Sequence, residues 1–119
     1  MALSRRSLMG LMISTTAVAL AACSSSAGLP EGTVVIDVRT PAEYAGGHLE
    51  GATNIDIEAS TFASKIAKLD KNTPYFVYCH SGNRAGQAIT AMKSAGFTKL
   101  TNGMGIDAAA QTSGLKIVT

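Results

Sequence analysis

The stretch Thr33-Val34-Val35-Ile36-Asp37-Val38 is β-branched and has no helical period. A continuous apolar run of this length marks a strand buried on both faces. Thr40 follows, with Pro41 next and Glu43 three residues after the threonine. That spacing predicts a capping box with proline at the first helical position, opening a short helix that ends at Gly46-Gly47. Gly51-Ala52-Thr53-Asn54-Ile55-Asp56-Ile57 reads as a second short strand. Phe62, Ile66 and Leu69 then recur at helical spacing, with Lys65 and Lys68 on another face, until Asn72-Thr73-Pro74 breaks the pattern. Tyr75-Phe76-Val77-Tyr78-Cys79 reads as a third strand. Ala85, Ala88, Ile89 and Met92 form a core stripe at i, i+3, i+4 and i+7, and Gly96 falls just past the end of that helix. Residues 98–101 read as a last short strand and residues 103–114 as a terminal helix. Strands alternating with helices predict an α/β fold: a small parallel sheet with helices on both faces. In such sheets ligands bind beyond the carboxyl ends of the strands. No internal repeat is visible.

The first residues follow different rules. Arg5 and Arg6 form a basic start, and the apolar stretch from Leu8 to Leu20 is shorter than the about 20 residues that a membrane span needs. Leu20-Ala21-Ala22-Cys23 closes it, followed by Ser24-Ser25-Ser26-Ala27-Gly28. This is an export-signal pattern, and its ending resembles the lipobox of bacterial lipoproteins. The resemblance implies cleavage before Cys23 and lipid on its thiol. The expected organisation is a signal peptide over 1–22, a flexible Ser/Gly tether over 23–31 and one folded domain over 32–119. The alternative is an ordinary signal peptide or anchor helix with Cys23 free. Ser4-Arg5-Arg6-Ser7-Leu8-Met9 also resembles a twin-arginine export signal, although two arginines equally suit any basic start. The expected location is extracytoplasmic, lipid-anchored to a bacterial membrane. Where the cell has two membranes, Ser24 rather than Asp after the cysteine favours the outer one, by resemblance to lipoprotein sorting.

Charge narrows the partners. Removing Arg5 and Arg6 leaves eight basic and eight acidic residues from Cys23 onward. A neutral domain without a basic patch does not suit nucleic acid. There is no Trp, so Val, Ile, Leu, Ala and Met must fill one modest core. If Cys23 carries lipid, Cys79 has no partner in the chain. A lone cysteine in an exported protein stands out as a reactive thiol.

The candidate chemistry lies in Tyr78-Cys79-His80-Ser81-Gly82-Asn83-Arg84-Ala85-Gly86. The cysteine ends a strand and a helix starts about five residues later. A thiolate is favoured at helix amino ends and beside positive charge. The helix offers unsatisfied N–H groups and a partial positive charge. Ser81, Gly82 and Asn83 let the backbone curl into an anion-binding nest, and Arg84 adds a fixed charge. The stretch therefore reads as a cradle for an anionic sulfur and for an anionic substrate above it. Cysteine-dependent phosphatases use a similar cradle with five residues between Cys and Arg. Here His80, Ser81, Gly82 and Asn83 make four, and the tighter ring suits one sulfur atom better than a tetrahedral phosphate.

Two motifs carry a family resemblance. "DVRTPAEYAGGHLEGATNIDI", beginning at Asp37, and "YCHSGNRAGQA", beginning at Tyr78, resemble the rhodanese, or thiosulfate sulfurtransferase, family, most nearly its small single-domain exported kind. The resemblance implies that Cys79 is catalytic and becomes a persulfide. It implies that His80, Ser81, Gly82, Asn83 and Arg84 bind the substrate, and that thiosulfate or another sulfane donor gives sulfur to a thiol or to cyanide. It calls for no metal or organic cofactor. A metal site from His48, His80 and Cys79 has no supporting spacing. The rival reading from another class is a persulfide carrier or sulfur-binding module that serves a partner protein without turnover. A phosphatase or arsenate reductase is a third.

Around the loop, Asp37 and Arg39 are expected to organise neighbouring segments, with Arg39 able to pair with Glu43 four residues on. His48 reads as a hydrogen-bonded structural residue. His80 is expected at the pocket rim, where a protonated imidazole could steer anions. The family resemblance weakens at the C-terminus. Its usual Trp is absent, and Lys116 stands where Pro is usual.

Overall fold

The structure, a computed structural model, describes residues 28–119. The expected signal peptide, Cys23 and residues 23–27 of the expected tether lie outside the described residues. β1 (Val34–Asp37), β3 (Thr53–Asn54), β4 (Tyr75–Cys79) and β5 (Leu100–Gly105) form a parallel sheet in the order β3-β1-β4-β5. All five residues of β4 are buried, as a central strand of a doubly covered parallel sheet requires.

Helices cover both faces, as the alternation of elements predicts. On one face α2 (Phe62–Ile66) and α3 (Asn83–Ser94) bring Phe62, Ile66, Ala85, Ala88 and Met92 against Ile36, Val38 and Val77. On the other, α1 (Pro41–Ala45) and α4 (Ile106–Ser113) bring Tyr44, Ala109 and Ala110 against Val35, Phe76 and Tyr78. Leu29 packs on this second cluster, and the Gly28 N–H donates to the Ser113 carbonyl at 3.0 Å. The capping box is present: Thr40 Oγ1 accepts from the Glu43 N–H, while Glu43 Oε1 accepts from the Thr40 N–H. Gly96 lies just past α3 with φ 104, the left-handed stop its position implied.

Three expectations need correction. The second strand pairs only over Thr53–Asn54, because the chain then leaves β1 along single bonds from the Ile55 and Ile57 N–H groups to the Asp37 and Val38 carbonyls. The last strand of the parallel sheet runs to Gly105, not to residue 101, and α4 begins only at Ile106. Its glycines suit a strand here because Gly103 lies flat against the Phe76 ring, which a Cβ would approach to 2.7 Å. The third correction is an added element. β2 (His48–Leu49) and β6 (Ile117–Val118) form a two-stranded antiparallel sheet that local patterning did not reveal, since two-residue strands carry no period.

Tyr78 ties this small sheet to the large one. Its hydroxyl accepts the Leu49 N–H at 2.9 Å, and both residues are fully buried. Burial pushes the Tyr78 phenol above its ordinary range. The Tyr75 hydroxyl instead donates to the carbonyl of exposed Asp70. Tyr78→Phe is therefore expected to cost about 1–3 kcal/mol by urea denaturation, because it orphans a buried N–H. Tyr75→Phe should cost less than about 1 kcal/mol, since water can reach the carbonyl it frees.

Candidate active site

β4 carries Cys79 to the carboxyl edge of the sheet, where His80, Ser81 and Gly82 lead into α3. Cys79 Sγ accepts the Gly82 N–H at 2.8 Å. Gly82 holds φ 103, a left-handed conformation that a side chain would strain. Gly82 is buried, whereas His80, Ser81 and Asn83 are exposed. Cys79 itself is free and fully buried beneath the loop. The sulfur thus lies at the amino end of a 12-residue helix, with one backbone donor already on it. A helix amino end adds partial positive charge there.

The neighbouring arginines do not pair as local spacing suggests. Arg39 precedes the N-cap of α1, so it is not on that helix and the i, i+4 rule does not reach Glu43. It turns inward instead. Its Nε and Nη2 donate to both oxygens of Asp37 at 2.7–3.1 Å, and Nη2 also donates to the Gly47 carbonyl at 2.6 Å. The Arg39 N–H donates to Asp37 Oδ1 as well. Asp37 is fully buried at the end of β1, and a carboxylate there needs this set of donors. The bond with Asp37 raises the Arg39 guanidinium above its ordinary value, against the effect of burial.

Glu43 reaches Arg84 instead. Arg84 Nη1 and Nη2 donate to Glu43 Oε1 and Oε2 at 2.8 and 3.0 Å, linking the start of α3 to α1. The loop arginine expected to add a fixed positive charge to the cradle is paired with a carboxylate. The Arg84 hydrogen bond, and then the Thr40 N–H, hold the Glu43 carboxyl at about 2. Glu43 is a site residue for which the sequence suggests only capping and a pair with Arg39. Its second duty depends on α3 lying beside α1, which no local pattern encodes.

The histidines separate. His48 Nδ1 lies 2.8 Å from the Tyr44 carbonyl and its ring stacks on Tyr44 at 3.7 Å, which is a structural placement. His80 lines an open cleft of about 460 Å³ together with Arg39, Glu43, Asp107 and Ile117. Two further loop neighbours were not singled out from sequence. Gly105 pairs with Cys79 and runs so close to the His80 carbonyl that no side chain fits, and Met104 packs against Gly82. Among the described residues no three His, Cys, Asp or Glu side chains gather to hold a metal ion. No helix among them is long and apolar enough to cross a membrane.

A parallel sheet with a buried cysteine held by a backbone N–H at its carboxyl edge defines an α/β domain with a loop-cradled thiol, and comparison with known proteins makes the class specific. The family model for the rhodanese-like domain matches residues 25–105, so the chain belongs to the rhodanese-like family. It is 37% identical over 71 residues to thiosulfate sulfurtransferase PspE of Escherichia coli, spanning 60% of this chain and 68% of that protein. It is 37% identical over 70 residues to thiosulfate sulfurtransferase GlpE of Pseudomonas entomophila, spanning 59% and 62%. A putative sulfur carrier protein of Bacillus subtilis, YrkF, is 32% identical over 57% of this chain and 36% of its own length. Among solved structures, a rhodanese with anions from E. coli superposes with a TM-score of 0.60 at 31% identity, covering 73% of this chain and 98% of that one.

The Glu43–Arg84 pair gives the acid limb of stability a testable sign. A carboxyl held at about 2 instead of its ordinary 4.5 stabilises the fold fully above the ordinary value and loses that contribution as pH falls toward 2. The Glu43 side chain is 35% exposed, so solvent screening keeps the effect below about 1 kcal/mol. Glu43→Gln retains an oxygen for the Thr40 N–H. Urea midpoints should show the wild type more stable at pH 7, with the difference vanishing near pH 2.

Proposed function

We propose that this protein is a sulfurtransferase that moves sulfane sulfur through a persulfide on Cys79. The observation that carries the proposal is the Gly82 N–H on Cys79 Sγ at the amino end of α3. In the first half-reaction the Cys79 thiolate attacks the outer sulfur of thiosulfate or a persulfide. The donor S–S bond breaks, its electron pair leaves with sulfite or a thiolate, and Cys79 becomes a persulfide. In the second, a thiolate or cyanide attacks the terminal sulfur and the Cys79 thiolate departs. Backbone N–H donors of a tight loop suit the anionic sulfur present before and after each step. Arg84 spends its terminal nitrogens on Glu43, which leaves donor recognition mainly to the backbone and favours sulfur over a phosphate ester.

The kinship with a putative sulfur carrier favours a second reading, a persulfide carrier that serves a partner protein without turnover. The full chain with Cys23→Ser, reduced and treated with thiosulfate, should gain one sulfur atom by intact mass. A thiol should remove it, and an added Cys79→Ser change should abolish the gain. Thiosulfate-to-cyanide turnover supports the enzyme, and loading without turnover supports the carrier. A folded protein with a free Cys79 that gains nothing would exclude thiosulfate as donor.

The same proposal includes attachment to a bacterial membrane through lipid on Cys23. Gly28 is bonded to the carboxyl end of α4, beside the amino ends of the strands, whereas Cys79 lies at their carboxyl ends. A five-residue strand spans about 16 Å, so a tether at this pole would turn the loop away from the bilayer. Expressed in a bacterium, the wild-type chain should sediment with membranes and incorporate labelled palmitate, and Cys23→Ser should lose both. A wild-type protein that stays soluble and unlabelled would refute the anchor.

A further inference from the structure

The pairing of β5 with β4 slips between Val77 and Tyr78: Val77 opposes Asn102, Tyr78 opposes Met104, and Gly103 is left between. Such a bulge bends a strand and re-aims the residues after it. Asn102 Oδ1 fixes the bend by accepting the Met104 N–H at 2.8 Å. Met104 consequently holds φ 70, the one positive-φ non-glycine among the described residues. A Cβ is strained in this region, and glycine would avoid the strain. The chain has Gly103 and Gly105 on either side and still places methionine between them. Burial does not offset the strain, because Met104 is 49% exposed.

Met104 rests on the loop at Gly82. A Cβ built at Gly82 would lie 3.1 Å from Met104 Cε, 3.3 Å from its Cα and 3.5 Å from its Sδ. Gly82 donates its N–H to Cys79 Sγ, and glycine at φ 103 has other backbone conformations within easy reach. A turn of the peptide before it would take the N–H off the sulfur. Backbone strain that packing does not offset marks a functional constraint.

We propose that Met104 is a positioning residue for sulfur transfer: its side chain clamps Gly82 so that the Gly82 N–H stays aimed at Cys79 Sγ. The proposal rests on Cys79 being the reactive sulfur and is independent of the identity of the donor. Strand β5 accepts a strained residue so that the donor needs no reorganisation when the sulfur becomes anionic.

The test uses the full chain with Cys23→Ser, so that Cys79 is the only thiol, and compares Met104→Gly, Met104→Ala and Met104→Leu. The readouts are the rate of Cys79 alkylation by iodoacetamide at pH 7, sulfur loading from thiosulfate, and Tm. Met104→Gly removes strain and clamp together: Tm should rise by about 4 °C while alkylation slows about fivefold, the worth of one hydrogen bond. Met104→Ala keeps the strain and loses the clamp, so it should slow alkylation equally without raising Tm. Met104→Leu keeps the bulk and should restore the wild-type rate. Unchanged or faster alkylation in the Gly and Ala variants would overturn the proposal. So would a Tm that falls together with the rate in Met104→Gly, which would make Met104 an ordinary packing residue. If no variant and no wild type loads sulfur from thiosulfate, the donor assignment fails, and the alkylation series still decides the clamp.

Discussion

The parallel pairing of β4 with β1 on one side and β5 on the other is the constraint from which the site follows. Parallel neighbours bring all their carboxyl ends to one edge. The same geometry that buries Tyr75, Phe76, Val77 and Tyr78 therefore delivers Cys79 beside the ends of β1 and β5. From that edge three segments converge: the turn after Asp37, the loop of His80, Ser81 and Gly82, and the tail of β5 at Met104-Gly105. The loop is short, so the Gly82 N–H falls on the sulfur, and the helix behind it points its amino end at the same atom.

Two ion pairs hold these segments in place by different means. Asp37 and Arg39 are both buried and meet through several bonds, which also fix the Gly47 carbonyl. Removing one member would leave a buried charge without a partner, so this pair works as a rigid corner. Glu43 and Arg84 are partly exposed and bridge two helices. Their pair is weaker in water and acts mainly to keep α1 against the start of α3. Between them the pairs leave the cradle close to electrically balanced. A donor anion would then be recognised by directed N–H groups more than by net charge.

The C-terminal segment, where the family's usual Trp is absent, is secured by backbone. β6 pairs with β2, the Glu50 N–H donates to the Lys116 carbonyl at 2.8 Å, and Leu115 packs on the second core cluster. Small side chains do the filling, with Ala109 fully buried where α4 meets the sheet. Lys116 fits because only its carbonyl is needed for the pairing, and its side chain lies exposed.

Much of this protein is written in local pattern. The β-branched run before Val38, the capping box at Thr40 and Glu43, the alanine–methionine stripe of α3 and the glycine that stops it each follow from interactions a few residues long, and each is found in place. The reactive loop is legible for the same reason, since strand end, small residues and helix start are contiguous. What local pattern cannot carry is contact between distant segments. Glu43 faces Arg84, 41 residues away, because of how α1 lies against the start of α3, and the Asp37–Arg39 pair, though local, is closed by the Gly47 carbonyl that the chain brings back to it. β2 and β6 are too short to show a period and exist only because the fold brings them together. Met104 has an unremarkable side chain in an unremarkable sequence. Only the bulge in β5, set by pairing with β4, presses it onto Gly82. Local pattern therefore specifies the longer elements, their order and the thiol. The tertiary structure decided which charges meet and what leans on the loop, because those depend on distances that only the closed sheet establishes.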